Sequence, residues 1–267
     1  MTENFKKNAF NKRLKSMLGV DFRRMFVSPI FYIMIGSSFV MPILILVMTT
    51  MMDGTVSVNP QTGVETVIEG FKNVWQIIGT VSGGEQAMSM DITSMCNINM
   101  MFFIVAVFVC IFVGEDYRSG YVKNLFTVRA NKDDYVISKS IVCFIAGAIM
   151  LIAFFIGSMI GGAISSLPFE LENVTPFNIL MSMLSKIALV EIFVAIYILA
   201  SVFAKDKLWL SLLLSFGIGM LMFMMIPIIT PLNAGIVNLI LCVVGGILFG
   251  VGIGFGTKTV LTKGNIL

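Results

Sequence analysis

The stretch SIVCFIAGAIMLIAFFIGSMIGGAISS, residues 140–166, contains no Asp, Glu, Lys or Arg. As a helix rising about 1.5 Å per residue it is long enough to cross a hydrocarbon core of roughly 30 Å. Five further segments read the same way: 28–52, 92–114, 177–204, 208–228 and 234–256. The 267-residue chain is 57% hydrophobic and 12% charged, with a mean hydropathy of +0.96. A soluble domain is about 25% charged, so composition points to lipid as the solvent. No polar stretch reaches the roughly 50 residues of a separate soluble domain. The first apolar run is too long for a signal-peptide core and lacks a cleavage site, so it is read as retained. The expected fold is all-α and polytopic, with six transmembrane helices.

The basic residues set the orientation. Lys6, Lys7, Lys12, Arg13, Lys15, Arg23 and Arg24 precede the first span, and Arg118, Lys123, Arg129, Lys132 and Lys139 join the second to the third. Lys205 and Lys207 join the fourth to the fifth, and Lys258 and Lys263 follow the sixth. Only Lys72 falls on the opposite side, where Asp53, Glu65, Glu69, Glu85, Asp91, Glu170 and Glu172 collect. Basic residues favour the cytoplasmic face, so both termini are expected in the cytoplasm of a cell-membrane protein. An odd number of spans would break the pattern.

Two flanking segments are amphipathic. In the N-terminal segment, 1–27, Phe10, Leu14, Met17, Leu18 and Met25 recur at helical spacing between basic residues, which predicts a helix in the inner headgroup layer of the lipid. In the outer loop, 53–91, Thr62 and Glu65 fit a capping box, with Val67, Ile68, Phe71, Val74, Trp75 and Ile78 on one face. This predicts an outer-surface helix ending near Gly79. Residues 28–267 form the expected six-helix transmembrane domain. Small residues recur every fourth position at Ala153–Gly157–Gly161, Ser211–Ser215–Gly219 and Gly246–Gly250–Gly254, a spacing that lets helices approach closely, within one chain or between two.

The composition excludes much chemistry. There is no histidine, which removes His-based catalysis and most zinc sites. Cys96, Cys110, Cys143 and Cys242 form no CxxC pair. The run GVGIGFGTKT at 250–259 imitates a phosphate loop, but no Gly-Lys-Ser/Thr stands at the required spacing. No catalytic residue, metal site, cofactor or nucleic-acid surface is read from this chain. Lys186 and Glu191 are the intramembrane charges and the candidates for a translocation pathway, with a structural hydrogen bond to a neighbouring span as the other reading of Glu191. Lys186 is placed to snorkel to the outer interface. Five residues separate the two, about 140° around a helix, so they are poorly set for an intrahelical pair.

The connection GEDYRSGYVKNLFTVRANKDDYVISK, residues 114–139, carries the strongest local signal. Acids open it, Gly120 follows, and an apolar and basic stretch leads to Asp133, Asp134 and Lys139. A short helix parallel to the membrane with a charged cytoplasmic face is expected. Asp116, Gly120, Lys123, Leu125, Phe126, Lys132 and Lys139 stand at spacings that resemble the permease subunit of ABC-2 type ABC transporters. The likeness is greatest to the small branch with separate ATPases, which includes lantibiotic and bacitracin self-protection exporters. Tyr121 replaces that pattern's usual Thr or Ser, and Lys132 its Arg, while the spacing to Lys139 is kept.

The resemblance implies a coupling helix within 115–139, contacting a cytosolic ATPase through Glu115, Asp116, Arg118, Gly120, Lys123, Lys132 and Lys139. It implies two ATPase subunits, which carry the ATP and Mg, and a second permease, identical or related, within the lipid. The N-terminal helix would be the interfacial connecting helix. The implied function is ATP-driven export of amphipathic peptides, peptide antibiotics or lipid-like molecules. An ion-coupled secondary transporter or channel is the alternative. The scarcity of intramembrane acids and the lack of an inverted repeat tell against it.

Overall fold

The computed structural model describes residues 2–58, 65–81, 96–128, 132–170, 174–223 and 225–263. Nine α-helices are found among them: α1 (Thr2–Val27), α2 (Pro29–Met52), α3 (Met101–Arg118), α4 (Tyr121–Val128), α5 (Asp133–Ile164), α6 (Pro176–Ala204), α7 (Leu208–Phe223), α8 (Met225–Ile229) and α9 (Ile236–Lys263). The helices α2, α5, α6 and α9, and α3 with the 3-10 turn before it, are each long and apolar enough to cross a bilayer. The fold is the all-α polytopic one expected from the sequence.

The fifth expected span, 208–228, is described as α7 and α8 on either side of residue 224, which lies outside the described residues. The 16 described residues of α7 rise about 24 Å of the roughly 30 Å core. The short α8 follows it and contains Pro227. Proline offers no N–H to the carbonyl four residues earlier, here Phe223, and its ring crowds that carbonyl.

Helix pairing answers the question left by the small-residue stripes. At Gly157 an added Cβ would lie 2.2 Å from the Phe39 carbonyl oxygen of α2, and at Gly161 it would lie 2.8 Å from Ile43 Cα. Glycine is what lets α5 and α2 touch backbone to backbone. Ser211 and Ser215 are buried against α6 and α3, with Ser211 Oγ 2.8 Å from Ser201 Oγ and Ser215 Oγ 3.2 Å from Cys110 Sγ. Gly246 and Gly250 of α9 face Ala188 and Glu191 of α6. All three stripes therefore close contacts inside this chain.

One end of the bundle gathers the basic residues. Arg13 Nε donates to Asp134 Oδ2 at 3.1 Å, Lys258 Nζ lies 2.8 Å from Asp133 Oδ1, Lys132 Nζ donates to the Leu261 carbonyl at 2.5 Å and Arg118 Nε to the Asp206 carbonyl at 3.3 Å. These contacts tie α1, the termini of α3 and α5, the α6–α7 connection and the end of α9 together, as alternating spans require.

At the opposite end the described residues of the expected surface helix form other structure. Strand β1 (Val56–Val58) pairs antiparallel with β2 (Glu65–Val67), Val56 opposite Val67, and a 3-10 turn covers Val74–Ile77. Thr62, the start of the expected capping box, lies outside the described residues, as do Glu85, Asp91, Arg129 and Glu172. The physical cause of the difference is Gly70. Its N–H donates to Asp53 Oδ1 at 2.8 Å, and an added Cβ would lie 2.6 Å from the Thr49 carbonyl oxygen. The chain is thereby pinned to the end of α2, and Phe71, Val74, Ile77 and Ile78 enter the core instead of a lipid surface. Trp75 Nε1 donates to the Phe169 carbonyl at 2.6 Å, and Asn73 Nδ2 to that of Glu170 at 2.5 Å, which joins this plug to the α5–α6 connection.

Candidate functional site

The connection from α3 to α5 does contain a helix. After Arg118 the chain turns through Ser119 and Gly120, whose φ of +71° suits a residue without Cβ. The eight residues of α4 follow. Its inner side carries Val122, buried, with Leu125 and Phe126 packed on the core. Phe126 meets the Tyr135 ring edge-on at 5.7 Å between centroids. Its outer side presents Lys123, Asn124, Thr127 and Val128, all exposed. Glu115 and Arg118 are exposed at the approach to the turn, whereas Gly120 is half-buried. Lys132 is half-buried too, its ammonium 5.6 Å from the Phe126 ring centroid.

Asp116 and Lys139 do not share that surface. Both side chains are 0% exposed, a correction to their reading as partner-facing residues. Lys139 Nζ lies 2.8 Å from Asp116 Oδ2 and 2.9 Å from Asp21 Oδ1. Tyr135 donates its hydroxyl to Asp116 Oδ2 at 2.9 Å, and Ser138 Oγ donates to Asp21 Oδ2 at 2.6 Å. Arg24 brings NH1 to 2.6 Å from Asp116 Oδ1, in an ion pair whose alignment is not that of a hydrogen bond. Its guanidinium carbon sits 4.6 Å from the ring centroid of Tyr121, the first residue of α4. Burial opposes the Arg24 charge, but Asp116 and Asp21 outweigh it and hold the guanidinium above its ordinary pKa.

Two acids and two bases thus form a charge-balanced knot where α1, α3, α4 and α5 meet. Removing one member of a buried pair typically costs about 3–5 kcal/mol, because its partner is left uncompensated. The arrangement fixes the root of α4 and leaves its outer side free to meet another molecule.

The burial follows from how α1 docks. Its basic side, Lys12, Lys15 and Arg23, is exposed as the amphipathic reading requires. Its other side, Met17, Asp21 and Met25, packs on the core and covers Lys139. Asp21, Tyr135 and Ser138 escaped the sequence reading, and Arg24 entered it only as an orienting charge. A signal was present: Asp21 lies four residues from both Met17 and Met25, an acid centred on an apolar stripe. Such a residue needs a buried partner.

The intramembrane charges stand apart from this knot. Lys186 does not snorkel to the outer interface; it is 0% exposed and donates to the Thr230 carbonyl at 2.9 Å and to Thr230 Oγ1 at 2.7 Å. Glu191 is half-buried, its Oε1 3.2 Å from where a Cβ on Gly250 would stand. The two are not joined by an ion pair or hydrogen bond among the described residues. No cluster of three or more His, Cys, Asp or Glu suited to a metal occurs among those residues either.

Comparison with known proteins places these features. No curated protein and no solved structure matches the chain. A family model described as "ABC-2 family transporter protein" matches residues 22–222, which takes in the α3–α5 connection and all of the spans except the last. Members of that family are the transmembrane components of ABC transporters and associate with an ABC ATPase subunit. The apolar helices and the match over three quarters of the chain agree, and the protein belongs to the ABC-2 transporter family as a multi-pass membrane permease.

Proposed function

We propose that this permease is the membrane half of an ATP-driven exporter in the cell membrane, with both termini in the cytoplasm. Two permeases, identical or related, pair above two ATPase subunits, and the ATP and Mg belong to those subunits. The cargo is an amphipathic peptide, a peptide antibiotic or a lipid-like molecule. In this reading the permease supplies the pathway and no catalytic group. The observation that carries it is α4: a short helix with an exposed face of Lys123, Asn124, Thr127 and Val128, rooted in the buried knot. A charged, exposed face gives an approaching subunit its register through complementary charge. A rigid root passes displacement of that face into α1, α3 and α5 instead of dissipating it in a loop. Glu115 and Arg118 extend the contact surface, whereas Asp116 and Lys139 serve it from beneath.

The test is purification of the permease with its ABC ATPase, followed by co-elution and ATP turnover. Lys123→Glu is expected to insert and to unfold at the wild-type temperature, yet to lose cargo-stimulated turnover. Wild-type turnover in that variant would show that α4 is not the contact. Orientation is checked separately by single cysteines at Glu69 and Lys207. An impermeant reagent outside the cell should reach the first and not the second.

A further inference from the structure

Lys186 is buried with no acid paired to it among the described residues. Its ammonium is fully enclosed, and both hydrogen bonds found for it among the described residues go to Thr230. The Thr230 N–H donates to the Ile226 carbonyl at 2.9 Å and so closes α8. Its own carbonyl lies past the helix end, where no further N–H of the helix is available to it. A lysine at the negative end of a helix is well placed to serve that orphan.

The segment so held is a cover. Ile226, Thr230, Leu232 and Ala234 are all buried. The Leu232 N–H donates to the Thr80 carbonyl at 2.9 Å, and Asn178 Nδ2 donates to the Asn233 carbonyl at 3.2 Å. Lys186 lies ten residues inside α6, about 15 Å below the start of that helix. Helical side chains lean toward the N-terminus, so the ammonium reaches up toward this cover. On the facing α9, Cys242 is 2% exposed and neighbours both Lys186 and Ser185.

We propose that Lys186 is the positioning residue that latches α8 and residues 230–235 shut over the outer end of the bundle. Release of its ammonium from Thr230 admits water between α6 and α9 as far as Cys242. Release leaves the buried Thr230 carbonyl without this donor, and water takes its place. The closed form therefore has the lysine on Thr230, and the open form has it in water. The word "outer" rests on the orientation proposed above; the latch itself does not.

The experiment uses the full permease in its membrane with Cys96, Cys110 and Cys143 replaced by Ala, leaving Cys242 as the reporter. A bulky impermeant maleimide is applied to each face in turn. Wild type should be almost unreactive. Lys186→Met should raise the Cys242 labelling rate at least about tenfold, the equivalent of one buried hydrogen bond to a charged group. Lys186→Arg, which keeps cationic donors, should stay near wild type. The face from which reactivity rises tests the orientation independently of the latch. A parallel protein keeps only Cys143, which is buried toward the other end of the bundle. If Lys186→Met exposes Cys143 as well, the bundle has unfolded, and Thr230→Val decides the matter: it removes one acceptor and should raise Cys242 labelling severalfold with Cys143 still protected. Unchanged Cys242 reactivity in Lys186→Met with an intact bundle, or in Thr230→Val, overturns the proposal.

Discussion

Replacing Lys139 with Met removes one charge from a four-charge knot while preserving most of the side-chain volume. The ammonium lies 2.8 Å from Asp116 and 2.9 Å from Asp21. At an effective dielectric near 20, each of those pairs attracts by about 6 kcal/mol before desolvation is subtracted. Desolvation cancels much of that attraction, and truncating one partner of a buried pair usually costs about 3–5 kcal/mol. Arg24 still faces Asp116, so the variant knot carries one net negative charge, centred on Asp21, whose distance to Arg24 is 3.9 Å. The permease should insert normally, since no span loses its apolar length, and should unfold at a temperature lower by about 10 °C. A thiol-reactive dye can follow the transition in detergent because Cys110, Cys143 and Cys242 are buried in the folded chain. The decisive arm is Lys139→Met with Asp21→Asn. That pair of changes restores charge balance, leaving Arg24 on Asp116. It should recover at least about 2 kcal/mol relative to the sum of the two single variants. Strict additivity would refute the reasoning, for it would mean that Asp21 and Lys139 do not share a buried charge contact.

Gly161→Leu places a branched side chain where an added Cβ already stands 2.8 Å from Ile43 Cα, so α2 must move away from α5. A loss of several kcal/mol is expected, seen as reduced yield and a lowered unfolding temperature, whereas Gly217→Leu, with open space around its Cβ position, should be near neutral. Glu191→Gln keeps the side-chain shape against Gly250 and should leave assembly intact while altering transport if the acid lines the pathway; unchanged transport would mark it as a packing residue.

The spans were legible because lipid removes the choice between helix and strand: an uncharged run of sufficient length has to satisfy its own backbone. The small-residue stripes were legible as helix contacts, but not which helix would meet which. The outer segment misled because Phe71, Val74 and Ile78 do recur at helical spacing. That spacing is also satisfied by a 3-10 turn and its flanks pressed into the end of the bundle.

The knot shows where a reading by charge and loop position has to fail. Asp116, Lys139, Asp21 and Arg24 all lie in segments whose other charges face water, and counting them by side of the membrane gives the orientation without asking which are paired. Whether a charge in such a segment is a surface group or a structural one depends on what packs over it. Here the covering element is α1, which buries Met17, Asp21 and Met25 and pairs Asp21 with Lys139, more than a hundred residues away in sequence. The same basic helix that signals the cytoplasmic face through Lys12 and Lys15 buries Lys139 with Asp21. One amphipathic segment thus supplies both the charges that orient the permease and the acid that roots α4 in its spans.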